Sequence, residues 1–219
     1  VMIGRGITLI EDTGKKLDPN FNAAEELKKL SRKIIVNKYK PERIAKVGLN
    51  VKKGQTVFIG AGLDQPEFVT MVVEECYLAG AGKVTVDWSH QALERLHVTY
   101  CDEETLCRFE AWEKAKMQHY VDTVPCRVNL VSADPDGLKG VNVAKMAKAR
   151  QMSYPIVKPY SEELDGKQQW CIAAVPGAAW AKKVFPGLRT SVAIEKLWEA
   201  ILSTSRVDAD PIKAWENHN

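Results

Sequence analysis

Apolar positions along this chain alternate between two periods. Short runs of strand length occur at Val57-Phe58-Ile59, Val84-Thr85-Val86, Val128 to Val131 and Ile172 to Val175. Between them, apolar residues recur every three or four positions, the spacing of a helix with one buried face. Val69, Val72, Val73 and Cys76 form such a face, and Gly80-Ala81-Gly82 ends it before the second strand. Strand, helix and strand in so short a span is a βαβ unit, which predicts parallel strands and a right-handed crossover. The alternation continues with no internal repeat and no low-complexity tract. The expected fold is therefore α/β: a layered domain with a mainly parallel sheet of at least four strands, flanked by helices.

The remaining elements follow from the same periodicity. Leu27, Leu30, Ile34 and Ile35 lie among Lys and Arg, as on an amphipathic surface helix with a solvated polar face. Ile44 and Val47 belong to a helical region that Gly48 ends. Leu93, Leu96, His97 and Tyr100 mark a short helix with a packed face. Asp102-Glu103-Glu104 caps and charges the start of a longer one, running through Leu106, Phe109 and Trp112. A helix is expected from Val143 to Gln151. Trp170 to Val175 reads as a buried strand stopped by Pro176-Gly177. Ala178 to Phe185 is a short helix closed by Pro186-Gly187. Thr190 or Ser191 offers an N-cap hydroxyl to the next, whose apolar face is Ile194, Leu197, Trp198, Ile201 and Leu202. Asp210-Pro211 starts a last helix. Val1 to Asn22 is weakly patterned and receives no assignment.

Composition narrows the function classes. The chain has 219 residues, 45% hydrophobic and 27% charged, enough for one sizeable core. The net charge of +3 comes without a long basic run, so electrostatics give no support to a nucleic-acid partner or a membrane surface. Val1 to Ile10 lacks the pattern of a signal peptide. The longest apolar run, Cys171 to Ala181, is too short to span a bilayer. The five cysteines are odd in number, unpaired in spacing and set in apolar or amphipathic segments. Reduced thiols and a cytoplasmic location are expected.

Three patterns invite a chemical reading. Gly60-Ala61-Gly62 follows a strand and precedes a helix, as a dinucleotide fingerprint does. Gln65 takes the place of the third glycine, so a tight turn is the simpler account. Asp134-Pro135-Asp136-Gly137 follows an apolar strand and resembles the nucleophile motif of haloacid-dehalogenase-type phosphatases, in which two aspartates sit beside Mg²⁺. An Asx-rich turn explains the same residues. His90, Glu94 and His97 lie at helical spacings with Cys101 a turn on, but not in the His-Glu-x-x-His arrangement of a zinc peptidase. If the strands are parallel, the loops after them, Gly60 to Pro66, Asp87 to His90, Ser132 to Gly137 and Pro176-Gly177, share one edge of the sheet. That edge is where open α/β sheets bind ligands, and the main concave surface is expected there, with featureless connections opposite.

The C-terminal stretch also resembles a known family. Pro176, Trp180-Ala181, Val184-Phe185-Pro186-Gly187, Ala193, Leu197-Trp198, Ile201, Arg206-Val207-Asp208, Asp210-Pro211 and Ala214-Trp215 look like the thermophilic metallo-aminopeptidase family, of the aminopeptidase T and aminopeptidase S type. The resemblance covers the chain from roughly Leu27 onward, and Val1 to Ala24 departs from it, as an extension segment would. It implies that residues 25–219 are a single α/β domain, the N-terminal half of a two-domain enzyme. That enzyme removes N-terminal amino acids from peptides with a divalent metal pair (Zn, Co or Mg). The family's Glu, His, Asp and Tyr ligands belong to the C-terminal half, so no catalytic, metal-binding or cofactor-binding residue is carried over to this chain, which is expected to be inactive alone. The implied partners are a peptide substrate, the C-terminal catalytic domain and a second copy in a homodimer. The alternatives are a Mg-dependent phosphatase-like enzyme centred on Asp134 and Asp136, and a non-enzymatic α/β binding module.

Overall fold

The structure, a computed structural model, describes residues 41–205. The helix expected around Leu27 to Ile35, and the one expected from Asp210, lie outside the described residues. So does Trp215.

Helix α1 (Pro41–Arg43) runs directly into a π-helical turn, Ile44–Gly48. Leu49 and Val51 follow it into the core. Strand β1 (Thr56–Gly62) alternates strictly, with Val57, Ile59 and Ala61 buried. Helix α2 (Pro66–Leu78) opens on a proline whose fixed φ suits a first turn, and buries Phe68, Val69, Met71, Val72 and Cys76. Strand β2 is Lys83–Ser89. The glycines before it serve different purposes. Gly80 takes a left-handed φ of +103° after the end of α2. A side chain at Gly82 would lie 2.6 Å from the Gly54 carbonyl, so the closeness of two backbones selects glycine there.

Helices α3 (Gln91–Tyr100), α4 (Glu103–Cys107) and α5 (Ala111–Thr123) connect β2 to β3. One long helix was expected from Asp102 onward, but there are two. Asp102 caps α4 by accepting from the Thr105 amide at 2.7 Å. Glu110 and Glu113 then form a capping box, and this second start signal interrupts the helix at Arg108 and Phe109. The packed face expected on α3 is also absent. Only Val98 is buried there, while Leu93, Leu96, His97 and Tyr100 are exposed. The helix is held instead by polar contacts, with Arg95 donating to the Lys139 carbonyl and Lys145 to the Val98 carbonyl, both at 2.7 Å.

Strand β3 (Cys126–Val131) is followed by helix α6 (Val143–Leu164), which passes well beyond Gln151 despite Pro155 and Pro159. Both prolines are exposed and four residues apart, on one solvent-facing side. The carbonyls that lose their helical partners there are open to water. Strand β4 (Trp170–Ala174), helix α7 (Ala178–Val184) and helix α8 (Thr190–Thr204) complete the described chain. Thr190 is the first helical residue of α8, and Arg189 stands at the N-cap without a side-chain bond.

The four strands are all parallel, in the order β2-β1-β3-β4. Val57 is level with Cys126, Ile59 with Val128 and Ala61 with Leu130, which builds one apolar face. Val57, Ile59, Val72 and Val128 are completely buried, each worth about 1.5–3 kcal/mol. Phe68 of α2 meets Trp198 of α8 with ring centroids 5.2 Å apart, as a core role for Trp198 requires. The second face is more polar. Phe58 and Gly60 are flanked by Thr85 and Asp87 on one side and by Arg127 and Asn129 on the other. Tyr120 of α5 packs on Phe58, centroid to centroid 4.5 Å. Strand β4 is not buried as expected: Trp170 is 67% and Ile172 60% exposed. Its apolar run is long enough for a strand, but the strand lies at the sheet's edge and its second face is left open.

Candidate functional site

In this strand order the chain moves outward in opposite directions from β1 and β3, so the crevice beyond their carboxyl ends is the topological switch point. The loops after all four strands gather at this edge and bond to one another. The Ser132 hydroxyl, almost completely buried, donates to Asp64 Oδ1 at 2.7 Å. Gln65 Nε2 donates to the Pro176 carbonyl at 3.0 Å. Gln91 grips the third loop twice: its Nε2 donates to the Asp134 carbonyl at 3.0 Å, and its Oε1 accepts from the Asp134 amide at 3.1 Å. Two glycines allow the approach. A Cβ on Gly62 would lie 2.5 Å from Asp64 Oδ1, and one on Gly177 would overlap the Ser132 carbonyl.

The candidates singled out in the sequence resolve as follows. Gly60 and Gly62 lie within β1 rather than in a turn after it, and neither has a left-handed φ. A Cβ at Gly60 would lie 2.7 Å from Asn129 Oδ1, so the Asn129 side chain would have to move to admit one. Asp134 and Asp136 form an Asx turn, in which Asp134 Oδ1 accepts from the Asp136 amide at 2.9 Å. Lys183 of α7 binds Asp136 Oδ1 at 2.7 Å and holds its carboxyl below the usual carboxylate range. Both carboxylates are thus occupied in fastening a loop, not aimed together at a vacant centre as a phosphatase nucleophile and its acid/base partner would be. His90 is the N-cap of α3 with no side-chain cap bond. Among the described residues, no group of three or more His, Cys, Asp or Glu side chains is placed to hold a metal ion. These residues therefore do not fit a two-metal centre, and no reaction step is assigned to them.

The opposite edge of the sheet is not featureless. Gln55 Nε2 donates to Gln169 Oε1 at 2.9 Å, and the Cys126 thiol donates to the same oxygen at 3.2 Å. Gln168 Nε2 reaches the Pro125 carbonyl at 2.9 Å.

A cavity of about 350 Å³ lies on the second face of the sheet, between α5 and α6. Its floor is Asp87 and Arg127, and its walls include Phe109, Trp112, Tyr120 and Tyr160. Asp87 Oδ2 accepts from Lys116 Nζ at 2.6 Å and from the Tyr120 hydroxyl at 3.1 Å. Burial lowers the Lys116 pKa, but the bonds to Asp87 and the proximity of Tyr120 outweigh it and the net shift is upward. Burial, then the Asp87 charge, pushes the Tyr120 phenol up. Sequence reasoning missed this group, although a signal was present. Thr85 and Asp87 alternate with Val84 and Val86, and Arg127 and Asn129 with Cys126, Val128 and Leu130. That period of two marks a polar face on both strands.

Comparison with known proteins places this architecture. The chain is 33% identical over 175 residues to aminopeptidase AmpS of Bacillus subtilis, covering 79% of this chain and 43% of that protein. It is 34% identical over 180 residues to aminopeptidase T of Thermus thermophilus, covering 81% of this chain and 44% of that one. The solved structure of wild-type AmpT from Thermus thermophilus superposes with a TM-score of 0.71 at 33% identity, over 84% of this chain and 46% of that one. The chain thus spans less than half the length of these relatives. All described residues fall within 23–219, the span matched by the thermophilic metalloprotease (M29) profile, and the chain belongs to that family.

Proposed function

We propose that this chain is the N-terminal, non-catalytic domain of a metal-dependent aminopeptidase that removes N-terminal amino acids from peptides. The observation that carries the reading is its likeness, in sequence and in fold, to 44% of aminopeptidase T by length. In such an enzyme a divalent metal pair activates water and polarises the scissile carbonyl, and the proposal assigns that pair to the other half of the protein. The role of the present residues is to shape the substrate cavity. The knit loop edge around Asp64, Ser132 and Gly177 is the side that faces the catalytic half. A homodimer working in the cytoplasm completes the proposal.

The test is a hydrolysis assay of the purified chain on leucine p-nitroanilide and on short peptides, with Zn²⁺, Co²⁺ or Mg²⁺ added in turn. No turnover is expected from this chain alone. Metal-dependent release of leucine at a rate typical of an aminopeptidase, removed by a chelator, would overturn the assignment of catalysis to the other half.

A further inference from the structure

The cavity between α5 and α6 holds two charged groups with unused bonding capacity. Only Oδ2 of Asp87 is engaged, by Lys116 and Tyr120, which leaves Oδ1 as an open acceptor. Arg127 bonds through its backbone amide to the Gln169 carbonyl, but among the described residues its guanidinium has no hydrogen bond or ion pair. Both side chains rise from the same face of the sheet, on either side of β1. Asp87 is level with Gly60 and Arg127 with Phe58, one two-residue step apart. The other two charged lining groups add no net charge. Lys116 and Glu113 carry opposite charges; Lys116 bonds to Asp87 through Oδ2 alone, and the Glu113 carboxylate accepts from the Glu110 amide at 2.8 Å. The walls are apolar and aromatic, and Trp112 is 66% exposed at the cavity.

We infer that this cavity binds a free amino acid with a large apolar or aromatic side chain. Its α-carboxylate pairs with Arg127, its α-ammonium with Asp87 Oδ1, and its side chain lies against Trp112 and Tyr160. Charge balance favours a zwitterion over a simple anion or cation, because one open cationic group and one open anionic acceptor face the same space. A guanidinium binds a carboxylate through two parallel bonds, and the rings supply stacking area. A volume of about 350 Å³ is at the small end of ligand cavities and accommodates one amino acid rather than a peptide. The inference rests on the cavity alone and stands or falls independently of the peptidase reading.

Isothermal titration of the chain with L-phenylalanine, N-acetyl-L-phenylalanine and L-phenylalaninamide tests it. The first probe carries both charges, the second lacks the ammonium and the third lacks the carboxylate. Saturable binding of L-phenylalanine is expected, with each altered probe weaker by about tenfold or more, the worth of one charge-assisted hydrogen bond. Arg127→Gln and Trp112→Leu replace exposed side chains, so both should melt close to the parent temperature and bind L-phenylalanine at least about tenfold more weakly. Three results would each overturn the inference: no saturable heat with L-phenylalanine, equal binding of the three probes, or undiminished binding by a folded Arg127→Gln chain.

Discussion

Gly177→Ala probes the loop edge at its tightest point. Gly177 is the N-cap of α7, with φ −73° and ψ 151°, a conformation alanine adopts without strain. The effect of the substitution is therefore a matter of space alone. The added methyl would overlap the Ser132 carbonyl oxygen and lie 2.9 Å from Asp64 Oδ2. The first obstacle is backbone at a buried residue and cannot rotate aside. Relieving the overlap moves the Pro176-Gly177 loop away from the third loop, at about 1–3 kcal/mol for overpacking. The same displacement strains the 2.7 Å bond from Ser132 to Asp64, a charge-assisted bond worth about 1.5–3 kcal/mol when intact. Asp64 is exposed and water replaces part of that bond, so the total loss should be about 2–4 kcal/mol. For a chain of this size, that lowers the melting temperature by roughly 4–16 °C. Gly187→Ala is the matched control. Nothing lies within 4 Å of a Cβ there and its φ is not left-handed, so alanine should stabilise by about 0.4–1 kcal/mol through the unfolded chain. Thermal melts by circular dichroism, backed by urea titration, measure both. If Gly177→Ala melts with the parent chain or with Gly187→Ala, the close loop packing described for this edge is wrong.

Three further predictions concern titrating groups. Burial, reinforced by the neighbouring Cys126 and Glu75, raises the Cys76 thiol from 9.0 to about 11, so its folded form holds a proton that the unfolded form has lost between those values. Its contribution to stability should be fully present below pH 9.0 and decline as the pH rises toward about 11. Melts of the parent chain and of Cys76→Ala across that window should converge on the alkaline side, and parallel curves would contradict the burial of this thiol. Native-state thiol labelling at pH 8 should spare Cys76 and Cys126, while denatured protein should yield all five thiols, since all five are free. For Asp102, the bond from the Thr105 amide holds the carboxyl below its usual range. The stabilisation it gives α4 is present above the unfolded carboxyl pKa and is lost as pH falls through the lower folded value. Asp102→Asn should keep the cap and remove this acid dependence, and an unchanged acid limb of the stability curve would argue against it.

Much of this protein was legible in its sequence, because the information is local. Alternation in β1 and β3 and the three-to-four spacing in α2 and α8 each identify an element and its buried side. The βαβ unit then makes β1 and β2 parallel neighbours. The sequence reading of Trp198 as core was correct for the same reason, since its face of α8 is continuous. Local signals also overrode a longer reading where they were strong: the Glu110 and Glu113 capping box splits the helix that the charges at Asp102 begin. Tertiary structure decided everything that depends on which elements become neighbours. Trp170 and Ile172 have the composition of a buried strand, yet β4 takes the edge of the sheet and both side chains face outward. Gly60 and Gly177 suggest turns, but a Cβ at either would meet Asn129 or the Ser132 carbonyl, both far off in the sequence. Asp87, Lys116, Tyr120 and Arg127 come from two strands and a helix and meet only when the sheet is assembled. The period of two places Asp87 and Arg127 on a polar face. That the two strands lie on either side of β1, with a cavity above, follows from the strand order, which is set by the packing of the whole sheet and not by any one segment.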